Sequence, residues 1–195
     1  MRIGVLALQG DFREHIAVID RLGHDSLEVR TPEELAAVDG LIIPGGESTT
    51  IGRLATIYGL MDPLRSRIAG GMPVLGTCAG MIFLASGTTG VAQPQLGVLD
   101  VIVERNAFGR QVESFEADLS VGHLDRPMRA VFIRAPWIEK VGSEVEILAA
   151  VDDPAGGGSH PVVVRQDRIL ATSFHPELTG DDRLHRMLIE SVEER

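Results

Sequence analysis

The segment VLGTCAGMIFLA, residues 74–85, places the only cysteine of the chain, Cys78, between two glycines. An apolar run precedes this Gly-x-Cys-x-Gly motif and another follows it, so the pattern predicts a buried β-strand that turns directly into an α-helix. Glycines suit such a turn because they let the backbone pack closely where side chains would crowd. From this segment alone, two interpretations of Cys78 stay open: a small core residue, or a nucleophile held at a sharp turn.

The first half of the chain repeats this alternation of strand and helix patterns. Apolar runs predict strands at 2–8, 26–30, 38–46 and 71–78. Apolar residues at helical spacing predict helices within 10–24, 48–60, 62–70 and 79–86. Such alternation indicates an α/β fold with a parallel sheet.

From Gly97 to Thr172 the pattern changes to mostly strands. These are predicted at 97–105, 114–121, 128–135, 144–151, 161–166 and 169–174. They either extend the first sheet or form a second, antiparallel layer, and the sequence leaves both arrangements open. A loop or hairpin is predicted at 152–161, and an amphipathic helix at 181–195 closes the chain.

Composition limits the class of protein. The chain has 195 residues, of which 44% are hydrophobic and only 4% aromatic, so the core consists mainly of Val, Ile, Leu and Ala. A formal net charge of −10 argues against nucleic-acid binding, because phosphate contacts need clustered cations. No apolar stretch reaches the length of a signal-peptide core or a membrane span, so we expect a cytoplasmic protein without membrane contact. A single cysteine excludes an internal disulfide, no close pair of histidines suggests a metal site, and none is expected.

A partner for the cysteine is found in SFHPEL, residues 173–178. In an extended chain His175 and Glu177 point to the same side, so the acid can orient the imidazole while the imidazole faces a nucleophile. The preceding strand pattern places the pair at a carboxyl end, where open α/β sheets form their sites. The alternative is a surface His-Pro-Glu turn.

A third segment, IIPGGEST at residues 42–49, ends a strand in two glycines and opens a helix. Glycine permits close approach of the backbone to a ligand, and a helix start offers free N–H groups. The alternative is a simple helix cap with Ser48 at the N-cap position. Together the three segments supply a nucleophile, a base, an orienting acid and oxyanion donors.

The motifs PGGES, GTCAG and FHPE, in this order, resemble those of triad-type, or class I, glutamine amidotransferases. Over nearly the whole chain the sequence is similar to the family of glutaminase subunits of pyridoxal 5′-phosphate synthases. Six segments carry the similarity: LALQGDFREH (6–15), PGGESTT (44–50), GTCAGMI (76–82), RNAFGRQVESF (105–115), FIRAP (132–136) and ATSFHPELTGD (171–181). Residues 152–161 and the extreme C-terminus match least.

This resemblance implies a single glutamine amidotransferase domain over residues 1–195, with a three-layer, flavodoxin-like or Rossmann-like mixed sheet flanked by helices. It implies hydrolysis of L-glutamine without a cofactor, and delivery of ammonia to a separate synthase subunit in a hetero-oligomeric complex. Carried over by position, the catalytic residues are the nucleophile Cys78, the base His175 and its orienting acid Glu177.

The resemblance also assigns supporting positions. Backbone N–H groups near Gly46 and Ala79 are expected to hold the oxyanion. The substrate-binding positions are Gly46, Glu47, Ser48, Arg105, Ile133 and Arg134. Arg105 is our first choice for the α-carboxylate of glutamine, because a guanidinium pairs well with that group. Gln9, Gly10 and His15 are expected at an edge that faces the synthase subunit.

Two rival functions are compatible with parts of the sequence. The elbow around Cys78 alone also suits a cysteine peptidase or a redox-protective protein. A regulatory subunit with a decayed site is the non-enzymatic alternative, although Cys78, His175 and Glu177 are all present.

Overall fold

The computed structural model describes residues 1–105, 107, 114–153 and 156–194. The α-helices are α1 (Phe12–Arg21), α2 (Pro32–Ala36), α3 (Ser48–Ile57), α4 (Met61–Ala69), α5 (Ala79–Leu84) and α6 (Arg183–Glu193). The strands are β1 (Arg2–Leu6), β2 (Asp25–Val29), β3 (Gly40–Ile43), β4 (Val74–Thr77), β5 (Ala85–Thr88), β6 (Leu99–Glu104), β7 (Ser114–Leu119), β8 (Met128–Ile133), β9 (Trp137–Val141), β10 (Glu146–Asp152), β11 (Ser159–Gln166) and β12 (Ile169–Thr172).

The largest sheet of the described residues has the strand order β10-β11-β12-β4-β3-β1-β2. The strands from β2 to β12 in this order run parallel, whereas β11 and β10 continue the sheet as an antiparallel edge. The predicted mixed sheet is therefore confirmed.

Both faces of this sheet are covered, which explains why its central strands are apolar at successive positions. On β3, Ile42 packs in a cluster with residues of α1 and α6, whereas Leu41 and Ile43 pack in a cluster with residues of α3, α4 and α5. On β4, Leu75 packs in the cluster with residues of α1 and α6, and Val74 packs in the cluster with residues of α3, α4 and α5. The result is the expected three-layer α/β architecture. None of the helices in the described ranges is long and apolar enough to cross a bilayer.

The strands of the second half adopt both of the arrangements that the sequence left open. The last three extend the large sheet, whereas β5-β6-β9 and β7-β8 form separate small sheets. The sequence missed α2, β5 and β9. The helix predicted to Ser86 ends at Leu84, because Ala85 leaves helical geometry and pairs with Leu99 of β6. Of the predicted loop at 152–161, Asp152 belongs to β10 and residues 159–161 belong to β11, which pair as antiparallel strands, and residues 154 and 155 lie outside the described residues.

Strand order determines where the predicted motifs meet. The neighbouring parallel strands β12, β4, β3 and β1 all end at the same edge of the sheet. The segments that follow these four ends contain His175, Cys78, Gly46 and Gln9. A site at this edge agrees with the general behaviour of open α/β sheets, which bind ligands beyond the carboxyl ends of their strands.

Candidate active site

Cys78 occupies the sharp turn between β4 and α5. Its backbone has φ 48° and ψ −104°, a strained conformation for a residue with a side chain. Its N–H donates to the carbonyl of Thr172 on the neighbouring strand at 2.8 Å, which holds the turn against the sheet. Gly80 is required two residues later, because a Cβ there would lie 2.0 Å from the carbonyl oxygen of Ile43. The turn therefore has the strain and close packing expected of a nucleophile elbow.

His175 and Glu177 form a buried acid–base pair. Nδ1 of His175 lies 2.7 Å from Oε1 of Glu177, and the two side chains are 6% and 0% exposed. The sequence suggested that the pair forms in an extended chain, but the structure shows a different conformation. Pro176–Leu178 is a short 3₁₀ helix, and His175 precedes it as its N-cap residue. The proline fixes the backbone at the first helical position, and the tight turn brings the carboxylate back to the ring.

The electrostatics of the pair favour a charged imidazole. Burial of His175 disfavours its charged form, but interactions with Cys78 and Glu177 outweigh burial and raise the pKa of the ring to about 10. Burial raises the pKa of Glu177, and the neighbouring His175 acts in the opposite direction. His175 therefore lies between Cys78 and Glu177, the arrangement in which an adjacent imidazole activates a cysteine nucleophile.

Asp11 is a site residue that the sequence argument did not identify. It precedes α1 but makes no capping hydrogen bond with its side chain, and its Oδ2 instead lies 3.6 Å from Nδ1 of His175. One potential ligand atom from each of Asp11, His175 and Glu177 lies within 4.8 Å of the others, which is a spacing that a metal ion tolerates. Nδ1 of His175 already pairs with Glu177, so we assign this cluster to acid–base chemistry.

The loop after β3 packs directly against the imidazole and against the loop after β1. A Cβ on Gly45 would lie 2.3 Å from Cε1 of His175, so only glycine fits beneath the ring. The N–H of Asp11 donates to the carbonyl of Gly45 at 3.2 Å, and the N–H of Glu47 donates to Oε1 of Gln9 at 2.6 Å. Gly10, at φ +101°, allows this approach because a Cβ there would lie 1.8 Å from the Gly45 oxygen.

Glu47, and not Ser48, caps α3. Its carboxylate accepts from the N–H groups of Thr49 at 3.1 Å and Thr50 at 2.7 Å. Burial acts in the opposite direction, but hydrogen bonds from Thr50 and Thr49 lower the pKa of Glu47 to about 2. The hydroxyl of Ser48 donates to Gln93 instead. Glu47 therefore carries a negative charge at the edge of the site.

Arg105 approaches this edge from the end of β6. Its guanidinium donates to Oε1 of Glu47 at 3.1 Å and to Oε1 of Gln93 at 3.0 Å. Gln93 is a second residue that the sequence argument missed; its Oε1 also accepts from the hydroxyls of Ser48 and Thr49. It lies in a stretch between β5 and β6 without regular structure, and only the polar character of an amide in an apolar neighbourhood could have indicated it.

These groups surround a cavity of about 450 Å³, a volume that suits a small ligand such as an amino acid. Its lining includes the predicted positions Gly46, Glu47, Ser48, Cys78, Ala79, Arg105, Ile133, Arg134 and His175, together with Gln9, Asp11 and Ile82. Most of the predicted segment 105–115 cannot be placed in this way, because residues 106 and 108–113 lie outside the described residues.

His15 does not lie where it was expected. We predicted it at an edge facing a partner chain, but its ring is 0% exposed and packs beneath the site, with Nε2 3.3 Å from Oε2 of Glu177. A fully buried side chain offers no direct contact to a partner. His15 shares the buried face of α1 with Ile19, so the interface expected at this edge stays a prediction that rests on Gln9 and Gly10.

A second cavity, of about 560 Å³, lies at the opposite end of the sheet, where β4 and β12 begin against α6. Its arginines are already paired: Arg165 with Glu146 at 2.7 Å, and Arg168 with the carbonyl of Ser191 at 2.7 Å. It contains neither the strained cysteine nor the acid–base pair, so the cavity around Cys78 is the candidate active site.

Residues 5–194 match the model of the SNO glutamine amidotransferase family. The chain belongs to this family. Pyridoxal 5′-phosphate synthase subunit PdxT of Parafrankia sp. is 60% identical over 196 residues, which cover 98% of this chain and 93% of that protein. The subunit PdxT of Carboxydothermus hydrogenoformans is 54% identical over 193 residues, with 98% of each chain covered.

Solved structures agree with the family assignment. The crystal structure of a glutamine amidotransferase that is 54% identical has a TM-score of 0.91 and covers 98% of this chain and 98% of that one. The structure of PurLQS from Thermotoga maritima has a TM-score of 0.70 at 14% identity, over 99% of this chain and 97% of that one. At 14% identity, this similarity supports a shared fold only.

Proposed function

We propose that this member of the SNO family, acting as one domain over residues 1–195, hydrolyses L-glutamine and supplies ammonia to a pyridoxal 5′-phosphate synthase subunit. Family membership and relatives named as subunits of that synthase support the reaction and the partner. The observation that carries the proposal is the strained Cys78 at the cavity, next to the buried pair of His175 and Glu177.

Cys78 is the nucleophile of this reaction. A carboxamide is a poor electrophile, and attack by a thiolate on its carbonyl carbon divides the hydrolysis into two easier steps. The imidazolium of His175 gives a proton to the departing nitrogen, which leaves as ammonia, and a thioester to Cys78 remains. Water then attacks the thioester while His175 accepts a proton from it, and glutamate and the free thiol are released.

Backbone N–H groups stabilise the oxyanion that forms during both steps. Ala79 is the first residue of α5, and the first N–H groups of a helix have no acceptor within the helix. The second donor is near Gly46, on the loop that faces Cys78 across the cavity. One such donor lowers the barrier by roughly 2.7–4 kcal/mol, so the orientation of the Gly46 loop controls the rate.

The cavity edge binds the amino-acid end of glutamine. Arg105 lines the cavity with a guanidinium that suits the α-carboxylate, and its bonds to Glu47 and Gln93 hold it in place. Ile133 and Arg134 also line the cavity, and the backbone of Arg134 has φ 43°. Glu47 and Ser48 complete the substrate-binding positions.

Docking of the synthase switches the glutaminase on. In the isolated chain, the N–H of Glu47 donates to Oε1 of Gln9 at 2.6 Å, so this N–H is occupied and is not free to stabilise a substrate oxyanion. Gln9 is half-buried at the end of the β1 loop, where a docking partner can reach it and release the loop. A glutaminase that stays inactive until the synthase docks does not consume glutamine or release ammonia when no ammonia acceptor is present.

The test is the rate of glutamate and ammonia formation by the purified chain at saturating glutamine, measured alone and in complex with its synthase. We expect a low rate alone and a rise of about 10²–10³-fold with the synthase, equivalent to one oxyanion donor. Cys78→Ala should form no glutamate in either condition. Equal rates with and without the synthase would refute the switch, and activity in Cys78→Ala would refute the glutaminase mechanism.

A further inference from the structure

Two buried histidines lie behind the proposed catalytic pair. His15 on α1 and His185 on α6 are both 0% exposed, although they are 170 residues apart in sequence. Nδ1 of His15 lies 2.9 Å from Nε2 of His185, and Nε2 of His15 lies 3.3 Å from Oε2 of Glu177. A continuous line of polar atoms therefore runs from α6 through α1 to the orienting acid.

Both rings are neutral. Burial lowers the pKa of His15 well below its usual value, and electrostatic interactions with the neighbouring His185 and His175 lower it further. Burial also lowers the pKa of His185, to about 4, although Asp182 opposes this. A neutral imidazole has one N–H and one unprotonated nitrogen, so the direction of each hydrogen bond depends on the tautomers.

Two tautomer assignments are compatible with the short distance between the rings. In the first, His185 donates from Nε2 to Nδ1 of His15, whose Nε2–H then faces both the Thr77 hydroxyl at 3.2 Å and Oε2 of Glu177 at 3.3 Å. In the second, both rings are reversed, and His15 presents an unprotonated Nε2 that can accept from the Thr77 hydroxyl at 3.2 Å.

The atoms at the two ends of this line, in Glu177 and His185, decide between the two tautomer assignments. Oε2 of Glu177 and Nδ1 of His185 both lack a hydrogen-bond partner among the described residues. The second assignment leaves a buried carboxylate oxygen facing a lone pair and a buried N–H without an acceptor. The first directs an N–H toward the carboxylate and leaves only an unprotonated nitrogen unpaired, which costs less free energy.

We propose that His15 is a positioning residue of the glutaminase reaction proposed above: its Nε2–H is bonded to the Thr77 hydroxyl and places its positive end 3.3 Å from Oε2 of Glu177, and His185 holds His15 in this tautomer. Glu177 is then held by a hydrogen bond with His175 at Oε1 and by electrostatic attraction to the His15 N–H at Oε2. A carboxylate held in this way cannot rotate away from the imidazole and is stabilised in its ionised form.

The charged and titratable groups around this line come from four parts of the fold. Asp11 precedes α1, Cys78 is at the elbow, His175 and Glu177 follow β12, and the influence of Asp182 and Arg21 reaches His185 at the far end. Loss of the His15 donor leaves the other groups in place and makes ionised Glu177 less stable. The pKa of His175 should then fall, because the ionised acid is one of the groups that raise it.

A pair of amide substitutions tests the role of the single N–H. The side-chain nitrogen of Gln reaches the position of Nε2, whereas that of Asn reaches only the position of Nδ1. With the chain in complex with its synthase, His15→Asn should lower kcat by about ten- to a hundredfold with little change in KM, while His15→Gln stays within about threefold of the parent. His24→Asn, in the turn after α1, is the matched control and should leave both constants unchanged.

The pH profile separates positioning from a structural role. The alkaline limb of kcat/KM, where His175 loses its proton, should move to lower pH in His15→Asn and stay in place in His15→Gln. Thermal unfolding of each variant shows how much folded protein is present. Equal kcat values for both variants and the parent, or equal losses in both with an unmoved alkaline limb, would overturn the proposal.

The failure of this proposal is distinguishable from failure of the glutaminase mechanism. If Cys78→Ala is inactive and His15→Asn behaves like the parent, the mechanism stands and the role of His15 is wrong. If Cys78→Ala still forms glutamate, the mechanism itself is wrong and His15 has no catalytic pair to position.

Discussion

The carboxylate of Glu177 is completely buried, and its Oε1 lies 2.7 Å from Nδ1 of His175. Because Nδ1 is held in this way, the other ring nitrogen, Nε2, is the one left to serve Cys78 at the cavity. The buried negative charge also helps to raise the pKa of His175 to about 10, once burial of the ring itself has been overcome.

Replacement of the orienting acid should change the pH dependence of the reaction. Glu177→Gln removes a negative charge that favours protonated His175, so the alkaline limb of kcat/KM should move from near pH 10 to lower pH. Activity should fall, but less than in His175→Asn, because the acid positions the proton donor and does not itself transfer the proton. A pH–rate profile of the three proteins checks this. A larger loss in Glu177→Gln than in His175→Asn would show that the two roles are assigned wrongly.

Substitution of Gly45 should displace the imidazole. A Cβ at this position would lie 2.3 Å from Cε1 of His175, so Gly45→Ala must shift the ring or the loop. Displacement of a catalytic group by about 1 Å costs on the order of a hundredfold in rate, and we expect at least that loss in kcat.

Gly180→Ala is the control, since a Cβ there meets nothing within 4 Å. It should leave kcat and thermal stability unchanged. Parental kcat in Gly45→Ala would show that His175 does not act from the position described here.

The motifs of the site could be predicted because each one follows a strand of a parallel sheet. Cys78 and His175 were placed by this argument together with the family resemblance, since the carboxyl ends of parallel strands share one edge. The conformation around Glu177 could not be predicted. Both an extended segment and a 3₁₀ turn can bring the carboxylate of Glu177 to the imidazole of His175, two residues earlier.

The residues that the sequence missed are held by long-range contacts. Asp11 resembles a helix cap until the sheet order brings His175 beside it, and Gln93 lies in a segment with no periodic pattern. The pairing of His15 with His185 depends on how α1 and α6 pack on the same face of the sheet. Periodicity identifies buried positions on each helix, but it cannot show which two helices meet.

Gln93 should affect substrate binding more than chemistry. Its Oε1 accepts from Arg105 at 3.0 Å and from the hydroxyls of Ser48 and Thr49, so it fixes the groups proposed to bind the amino-acid end of glutamine. Gln93→Ala should raise KM by roughly tenfold, the value of one charged hydrogen bond, with a smaller change in kcat.

Gln166→Ala is a matched control, because Gln166 also accepts a hydrogen bond through its amide oxygen, from the N–H of Asp100, but does not line the cavity. Its KM should equal that of the parent. A fall in kcat without a change in KM in Gln93→Ala would contradict a role in substrate binding.

Gln9 should control the response to the synthase. Gln9→Ala removes the acceptor that holds the N–H of Glu47 at 2.6 Å, so the Gly46 loop loses its fixed orientation. The ratio of the rates with and without the synthase should fall in this variant, while the thermal unfolding temperature changes little. The ratio is measured as glutamate formed per minute at saturating glutamine. An unchanged ratio would remove Gln9 from the switch.

The central claim, that Cys78 attacks glutamine, is tested most directly by mass spectrometry of the chain after treatment with the electrophilic glutamine analogue diazo-oxo-norleucine. We predict one adduct per chain, located on Cys78, slowed by added glutamine and formed much more slowly in His175→Asn. Labelling of any other residue, or glutamate formation at the parental rate by Cys78→Ala, would contradict the account.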